Sequence, residues 1–170
     1  MQRHIDNTTA LDAINIALRV AESHHTDAPV LILDQAAACR QYRALTRALP
    51  GVRIHYALKP LPHEAIVTAL MACGSAFDLA TSGEIDLVER LGVDPELCIH
   101  SHPIKSATEI KRAIDFGVRR FVVDNRCEIE KFTTFRDGCE LMIRIAYRNP
   151  DAKCDLSRKF GCEPEEAIDL

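Results

Sequence analysis

Apolar positions along the chain recur with two periods. Leu11, Ile14, Leu18 and Val20 fall at near-helical spacing and predict a leading helix, followed by a polar S-H-H-T-D loop. Pro29 opens V-L-I-L-D, a short run of strand type. Gln35 to Leu49 then returns to the helical period, with Ala38, Tyr42, Leu45 and Leu49 on one face and Pro50-Gly51 as the stop. Next, Val52, Ile54, Tyr56 and Leu58 alternate with Arg53, His55 and Ala57, the period of a β-strand. The strand ends at Lys59, because Pro60 cannot continue a central strand.

From Lys59 onward a unit of roughly 22 residues recurs. Pro62 begins a helix that carries Ile66, Leu70 and Cys73 and stops at Gly74, and Ser75 to Leu79 reads as the next strand. Thr81-Ser-Gly-Glu84 has the spacing of a capping box ahead of Ile85, Val88 and Leu91, with Gly92 as the stop. Leu97 to Ser101 is the third strand. Ser106-Ala-Thr-Glu109 opens a helix through Ile110, Ala113 and Ile114 to Gly117, and Arg120 to Val123 is the fourth strand. Asn125, with Glu128 three residues on, opens another helix, and Leu141 to Ala146 is the fifth strand.

Strands alternating with helices of about ten residues over short loops require a parallel sheet with right-handed crossovers. Two architectures meet that requirement, a doubly wound open sheet and a (β/α) barrel. A barrel needs eight strands and about 250 residues, so on that reading these residues form an incomplete domain.

Composition narrows the function. Of 170 residues, 47% are hydrophobic and 27% charged, the balance of a globular protein, and the formal net charge is −4. Without a basic cluster, the chain lacks the electrostatic footprint of a nucleic-acid surface. No apolar run approaches a membrane-spanning length, and no basic-then-apolar leader opens the chain. The 7 cysteines are odd in number and show no C-x-x-C spacing, which argues against a zinc knuckle or a disulfide framework and for a cytoplasmic location.

Candidate chemistry lies at strand ends: Lys59, Asp78, His100 with His102, and Arg144 should share one rim of the sheet. In repeating β/α folds that rim gathers catalytic groups, and lysine is the side chain that condenses with carbonyl compounds. Each residue also has an ordinary explanation: Lys59 as a solvated surface group, Asp78 as a helix cap, Arg144 pointing to solvent. The i, i+2 spacing of His100 and His102 suits two metal ligands on one strand face, but no acidic or cysteine partner completes a motif, so no metal is assigned. Lysine, aspartate and arginine together at one rim ask for more, because desolvated charges persist when they are paired or bound to a ligand.

The runs H-Y-A-L-K, F-D-L-A-T-S-G-E-I, S-H-P-I-K-S, V-V-D-N and I-R-I-A followed by D-L-S-R-K-F-G resemble, in order, the motifs of the ornithine/diaminopimelate/arginine decarboxylases. These are fold-type III enzymes that use pyridoxal 5'-phosphate on an alanine-racemase-like barrel. The resemblance runs from about Pro29 to Gly161 and leans toward the ornithine or lysine branch. It implies an α/β fold, a parallel (β/α) barrel of TIM or alanine-racemase type, present here as its N-terminal part. It also implies residues 1–28 as a leading helix and loop and residues 29–170 as barrel, the rest of the barrel and a β-domain lying outside this sequence.

Position by position, the resemblance makes Lys59 the catalytic lysine that holds the cofactor covalently, Asp78 the acidic residue that positions it, and Arg144 the arginine near the cofactor's ring hydroxyl. Lys159 matches a lysine near the contact of a homodimer. Pro60-Leu61 and His102 depart from the family pattern, where a small residue with asparagine, and an asparagine, respectively, are usual. The expected activity is decarboxylation of a small-molecule basic amino acid, the 170-residue piece alone being inactive. Alternatives are a diaminopimelate or arginine decarboxylase, a racemase on the same barrel, or a non-catalytic regulatory paralogue. Joint presence of Lys59, Asp78 and Arg144 argues against the last.

Overall fold

A computed structural model of the protein describes residues 7–24, 33–135, 138–147, 149, 151, 153 and 159–170. The leading helix α1 spans Asn7–His24 and α2 spans Gln35–Ala48. Asp34 starts α2 by accepting a hydrogen bond from the Ala37 amide at 2.9 Å, a side-chain cap for a backbone donor that the first turn leaves open. Of the V-L-I-L-D run, residues 30–32 lie outside the described residues, as do residues 155–158 of D-L-S-R-K-F-G.

Five strands follow: β1 (His55–Ala57), β2 (Ala76–Leu79), β3 (Cys98–His100), β4 (Arg120–Val123) and β5 (Glu140–Ile143). Between them run α3 (Glu64–Ala72), α4 (Ser82–Arg90), α5 (Ala107–Phe116) and the short α6 (Arg126–Glu130), and α7 (Glu166–Asp169) comes last. Every neighbouring pair is parallel and the spatial order equals the chain order, β1-β2-β3-β4-β5. An open doubly wound sheet reverses its order at a switch point, and this sheet has none. It is an arc of a (β/α) barrel, and the barrel expectation holds over the doubly wound one.

One face of the arc is the core. Phe77 and Leu79 of β2, Cys98 of β3, and Phe121 and Val123 of β4 are buried against Ile66, Val67, Leu70, Ile85, Val88 and Ile110 from α3, α4 and α5. Alternate residues along each strand turn to the opposite face, so His55 and Ala57, Ala76 and Asp78, and Arg120 and Val122 lie on the other side.

Thr81, Ser106 and Asn125 cap α4, α5 and α6 as the sequence predicts, whereas α3 starts at Glu64 with His63 as its cap rather than at Pro62. Ser106 and Glu109 form a reciprocal capping box, the side chain of each accepting from the other's backbone amide. Thr81 accepts from the Glu84 amide, but the Glu84 carboxylate accepts from the Ala80 amide at 2.7 Å, one residue earlier than a reciprocal box requires. Gly117 ends α5 at φ 116°, where a Cβ would also meet Pro95 Cγ at 2.8 Å, so glycine is required there twice over.

Candidate active site at the rim of the sheet

The carboxyl ends of the strands carry the polar groups. Lys59 stands two residues past β1, exposed, and among the described residues its amine has no hydrogen bond or ion pair. Its neighbour Leu58 is fully buried and donates its amide to the Asp78 carbonyl at 3.1 Å, which fastens the backbone at Lys59 to β2. The Leu58 side chain anchors the strand end in the core, and Lys59, one residue on, is exposed in the turn that follows.

Asp78 is half-buried. Burial raises its carboxyl above the usual carboxylate range, while the hydroxyl and amide of Ser101 and the ring of His55 oppose that rise. Its Oδ1 is buried without a hydrogen-bond partner among the described residues. Buried acceptors are normally paired, so this oxygen is open to a donor beyond the described residues.

Arg144 follows β5 directly and donates its amide to the Val123 carbonyl at 2.8 Å. Its guanidinium lies 5.2 Å from the centre of the Phe160 ring. The Lys159 ammonium lies 5.1 Å from the same ring, and the His102 ring meets it edge-on at 5.6 Å. Phe160 is therefore an aromatic platform under two cations, each drawn to the negative face of the ring. Gly161 fixes the platform: at φ 96° it lies so close to Ala146 that a Cβ would come within 2.6 Å of the Ala146 amide nitrogen. Its own amide donates to Asp124 Oδ2 at 2.9 Å, and the next residue, Cys162, bridges to Ile145.

One sequence-predicted group lies elsewhere. His100 is the last residue of β3 and sits in register with Leu79 and Phe121, both fully buried on the helix-packed face. It stacks on Phe121 with ring centres 6.0 Å apart and points away from the rim residues. Burial first, and the nearby Lys105 ammonium second, lower it to about 4, so it is a neutral core histidine. His102 belongs to the loop after β3, where its Nδ1 contacts the Ile104 backbone, so the two imidazoles do not share a strand face. Among the described residues no cluster of three or more histidine, cysteine or acidic side chains is placed to hold a metal ion.

Sequence reasoning missed Lys105. It is 2% exposed, and its ammonium donates to the carbonyls of His102 at 2.9 Å, Pro103 at 3.1 Å and Val122 at 2.6 Å. Glu128 is the nearest anion, 3.9 Å away, and itself pairs with Lys131. The available signal was the Asn125 to Glu128 spacing: Asn125 does cap α6, but the Glu128 carboxylate leaves the cap and accepts the Lys105 amide at 3.1 Å instead.

A parallel (β/α) arc thus carries near its strand ends a lysine with no bonded partner among the described residues, an aspartate with one buried oxygen unpaired there, and an arginine over an aromatic ring. Residues 35–170 match the family described as pyridoxal-dependent decarboxylase, pyridoxal binding domain. The chain belongs to that family.

It is 39% identical over 142 residues to the lysine/ornithine decarboxylase of Selenomonas ruminantium, covering 84% of this chain and 36% of that protein. The crystal structure of the Vibrio vulnificus lysine/ornithine decarboxylase complexed with putrescine is similar at a TM-score of 0.81 and 47% identity, covering 92% of this chain and 40% of that one. The arginine decarboxylase of Paramecium bursaria Chlorella virus gives a TM-score of 0.83 at 26% identity, over 89% of this chain and 41% of that one. The chain thus spans about two fifths or less of the length of these relatives. Among the described residues, no helix is long and apolar enough to cross a membrane.

Proposed function

We propose that the whole protein decarboxylates a basic amino acid of the ornithine or lysine type, with Lys59 as the catalytic residue and pyridoxal 5'-phosphate as cofactor. The observation that carries this reading is the state of Lys59: an amine without a partner among the described residues, just past the carboxyl end of a barrel strand whose backbone is fastened to the strand bearing Asp78. A nucleophilic lysine needs its nitrogen free of anions and its backbone held in place, and Lys59 meets both conditions among the described residues.

The residues present fit the cofactor. Lys59 Nζ is the amine that would hold it through its aldehyde. Arg144, the cation steadied on Phe160, would face an acidic oxygen of the ring. The orphaned Asp78 Oδ1 would accept a donor from the assembled site and hold the lysine end in place. When bound, the cofactor supplies a conjugated ring that accepts the electron pair left behind as carbon dioxide departs. Burial disfavours the charged form of Asp78, so its carboxylate would be held by a donor supplied at Oδ1. Leu58, sealed in the core, would hold the rim end of β1 in place beside the bound group.

The substrate reading rests on similarity: higher identity to the lysine/ornithine decarboxylase of Vibrio vulnificus than to the viral arginine decarboxylase supports ornithine or lysine over arginine. The same reading implies a homodimer, with the exposed Lys159 toward the partner subunit. The test is chemical. The whole protein, incubated with pyridoxal phosphate and reduced with borohydride, should carry the label on the peptide containing Lys59. It should release carbon dioxide from L-ornithine or L-lysine, and Lys59→Ala should lose label and release together. No cofactor uptake, or a label on another lysine, overturns the assignment and favours a regulatory paralogue; release from L-arginine or diaminopimelate alone moves the protein to another branch.

A further inference from the structure

A fully buried ammonium is costly to keep, and a methionine of similar volume would fill the same space beside Phe132 without that cost. Lys105 is nevertheless held at three points. Its ammonium uses three donors on three carbonyls, its amide donates to Glu128, and its carbonyl accepts from the Lys131 ammonium at 2.7 Å.

The placement explains what this does. β3 pairs with β4 at Ile99 with Arg120 and at His100 with Phe121, and there the ladder ends. Beyond it the chain turns away as the loop 101–106, and the next carbonyl pointing off β4, that of Val122, has the Lys105 ammonium as its donor. Two other carbonyls on the same ammonium, His102 and Pro103, belong to the loop itself. One side chain thus folds the loop around itself and pins it to the neighbouring strand where backbone pairing has stopped. That loop carries Ser101, which faces the Asp78 carboxyl, and His102, which abuts the Phe160 ring under Arg144.

We propose that Lys105 is a positioning residue for the cofactor site: its buried ammonium fixes the β3–α5 loop, and through Ser101 and His102 it sets both the anionic and the cationic side of the rim. The inference rests on the cofactor reading of Lys59, Asp78 and Arg144. Burial pulls the ammonium down to about 8, with Glu128 opposing that fall, so the group is still largely charged at neutral pH.

The experiment measures pyridoxal phosphate binding by the whole apoprotein, wild type against Lys105→Met, with Phe132→Leu as the control that loosens packing beside the ammonium and leaves its three carbonyls alone. For a folded Lys105→Met protein, judged by circular dichroism, the dissociation constant should rise about tenfold or more. The pH midpoint of the bound cofactor's visible absorption should also move by about one unit, because Asp78 and Arg144 no longer hold their places. Phe132→Leu should change neither. If Lys105→Met does not fold, Lys105→Gln, which keeps two of the donors, is read on the same scale. Affinity and midpoint within twofold and within a few tenths of a unit of wild type, in either folded variant, overturn the proposal, as does a Phe132→Leu protein that reproduces the loss. A wild type that takes up no cofactor defeats the reading on which the proposal stands, whereas a binding wild type with an equally binding variant defeats the proposal alone.

Discussion

Two lysines lie just past strand ends of this sheet, and they are opposites. Lys59, after β1, is exposed and has no bonded partner among the described residues; Lys105, past the end of β3, is 2% exposed and bonded to three carbonyls. The difference separates a group kept for reaction from one kept for shape. An amine whose donors are all engaged cannot attack a carbonyl without first breaking the structure that holds it, and an amine with none engaged is ready but organises nothing around it. Their anionic counterparts divide in the same way: Glu128 is satisfied by the Lys105 amide and by Lys131, while Asp78 keeps an orphaned oxygen.

The largest expected effect falls on the saturated side. Glu128→Leu leaves the Lys105 and Lys131 cations without their anion, and in the whole protein it should cost about 3–5 kcal/mol of stability by chemical denaturation. A loss below about 1 kcal/mol would mean that the cluster is not the anchor described.

His100 gives a pH test of the same buried layer. Its folded value, lowered to about 4 from an ordinary 6.5, means that the unfolded chain binds more protons between those values. Stability from this group is present above about 6.5 and is lost as the pH falls toward 4, on the order of 3 kcal/mol in all. His100→Phe should flatten that part of the stability profile, and an unchanged slope would refute the burial argument.

Reactivity compares the two lysines directly. A neutral acylating reagent, followed by peptide mapping of the apoprotein, should modify Lys59 about 100-fold faster than Lys105, since Lys105 reacts only after local opening. Equal rates would erase the distinction. A smaller effect with the opposite sign is expected at Asp78. Because burial disfavours its charge and Oδ1 lacks a donor, Asp78→Asn should be neutral or stabilising by up to about 1 kcal/mol while it weakens cofactor binding. A marked destabilisation would show that the carboxylate is there for the fold.

The sheet was largely legible and the loops were not. Alternation of apolar residues located all five strands in order, because each strand buries one face and the period of two records it. β1 is shorter than the run from Val52 to Leu58 because the ladder with β2 begins only opposite Ala76. Lys59 stood out where the apolar alternation stops at Pro60, whereas the roles given to Asp78 and Arg144 came from the family resemblance and not from any local period. His100 was misplaced for a related reason: one step in the pleat decides between rim and core, and its register with Leu79 and Phe121 places it in the core. Lys105 was hidden because its partners, Val122 and Glu128, are 17 and 23 residues away, and no local period encodes such contacts.

The order of the strands has a consequence for how the chain is made. Each ladder joins residues separated by about one strand-helix unit: His55 faces Ala76, Phe77 faces Cys98, Ile99 faces Arg120 and Arg120 faces Glu140. Among the described residues, no ladder of the arc joins strands from distant parts of the sequence. As the polypeptide leaves the ribosome, each new strand meets an edge completed only moments earlier, so the sheet can assemble in the direction of synthesis, one unit at a time. The growing edge is then always the newest strand, and the carbonyls along it are protected by whatever the ribosome delivers next.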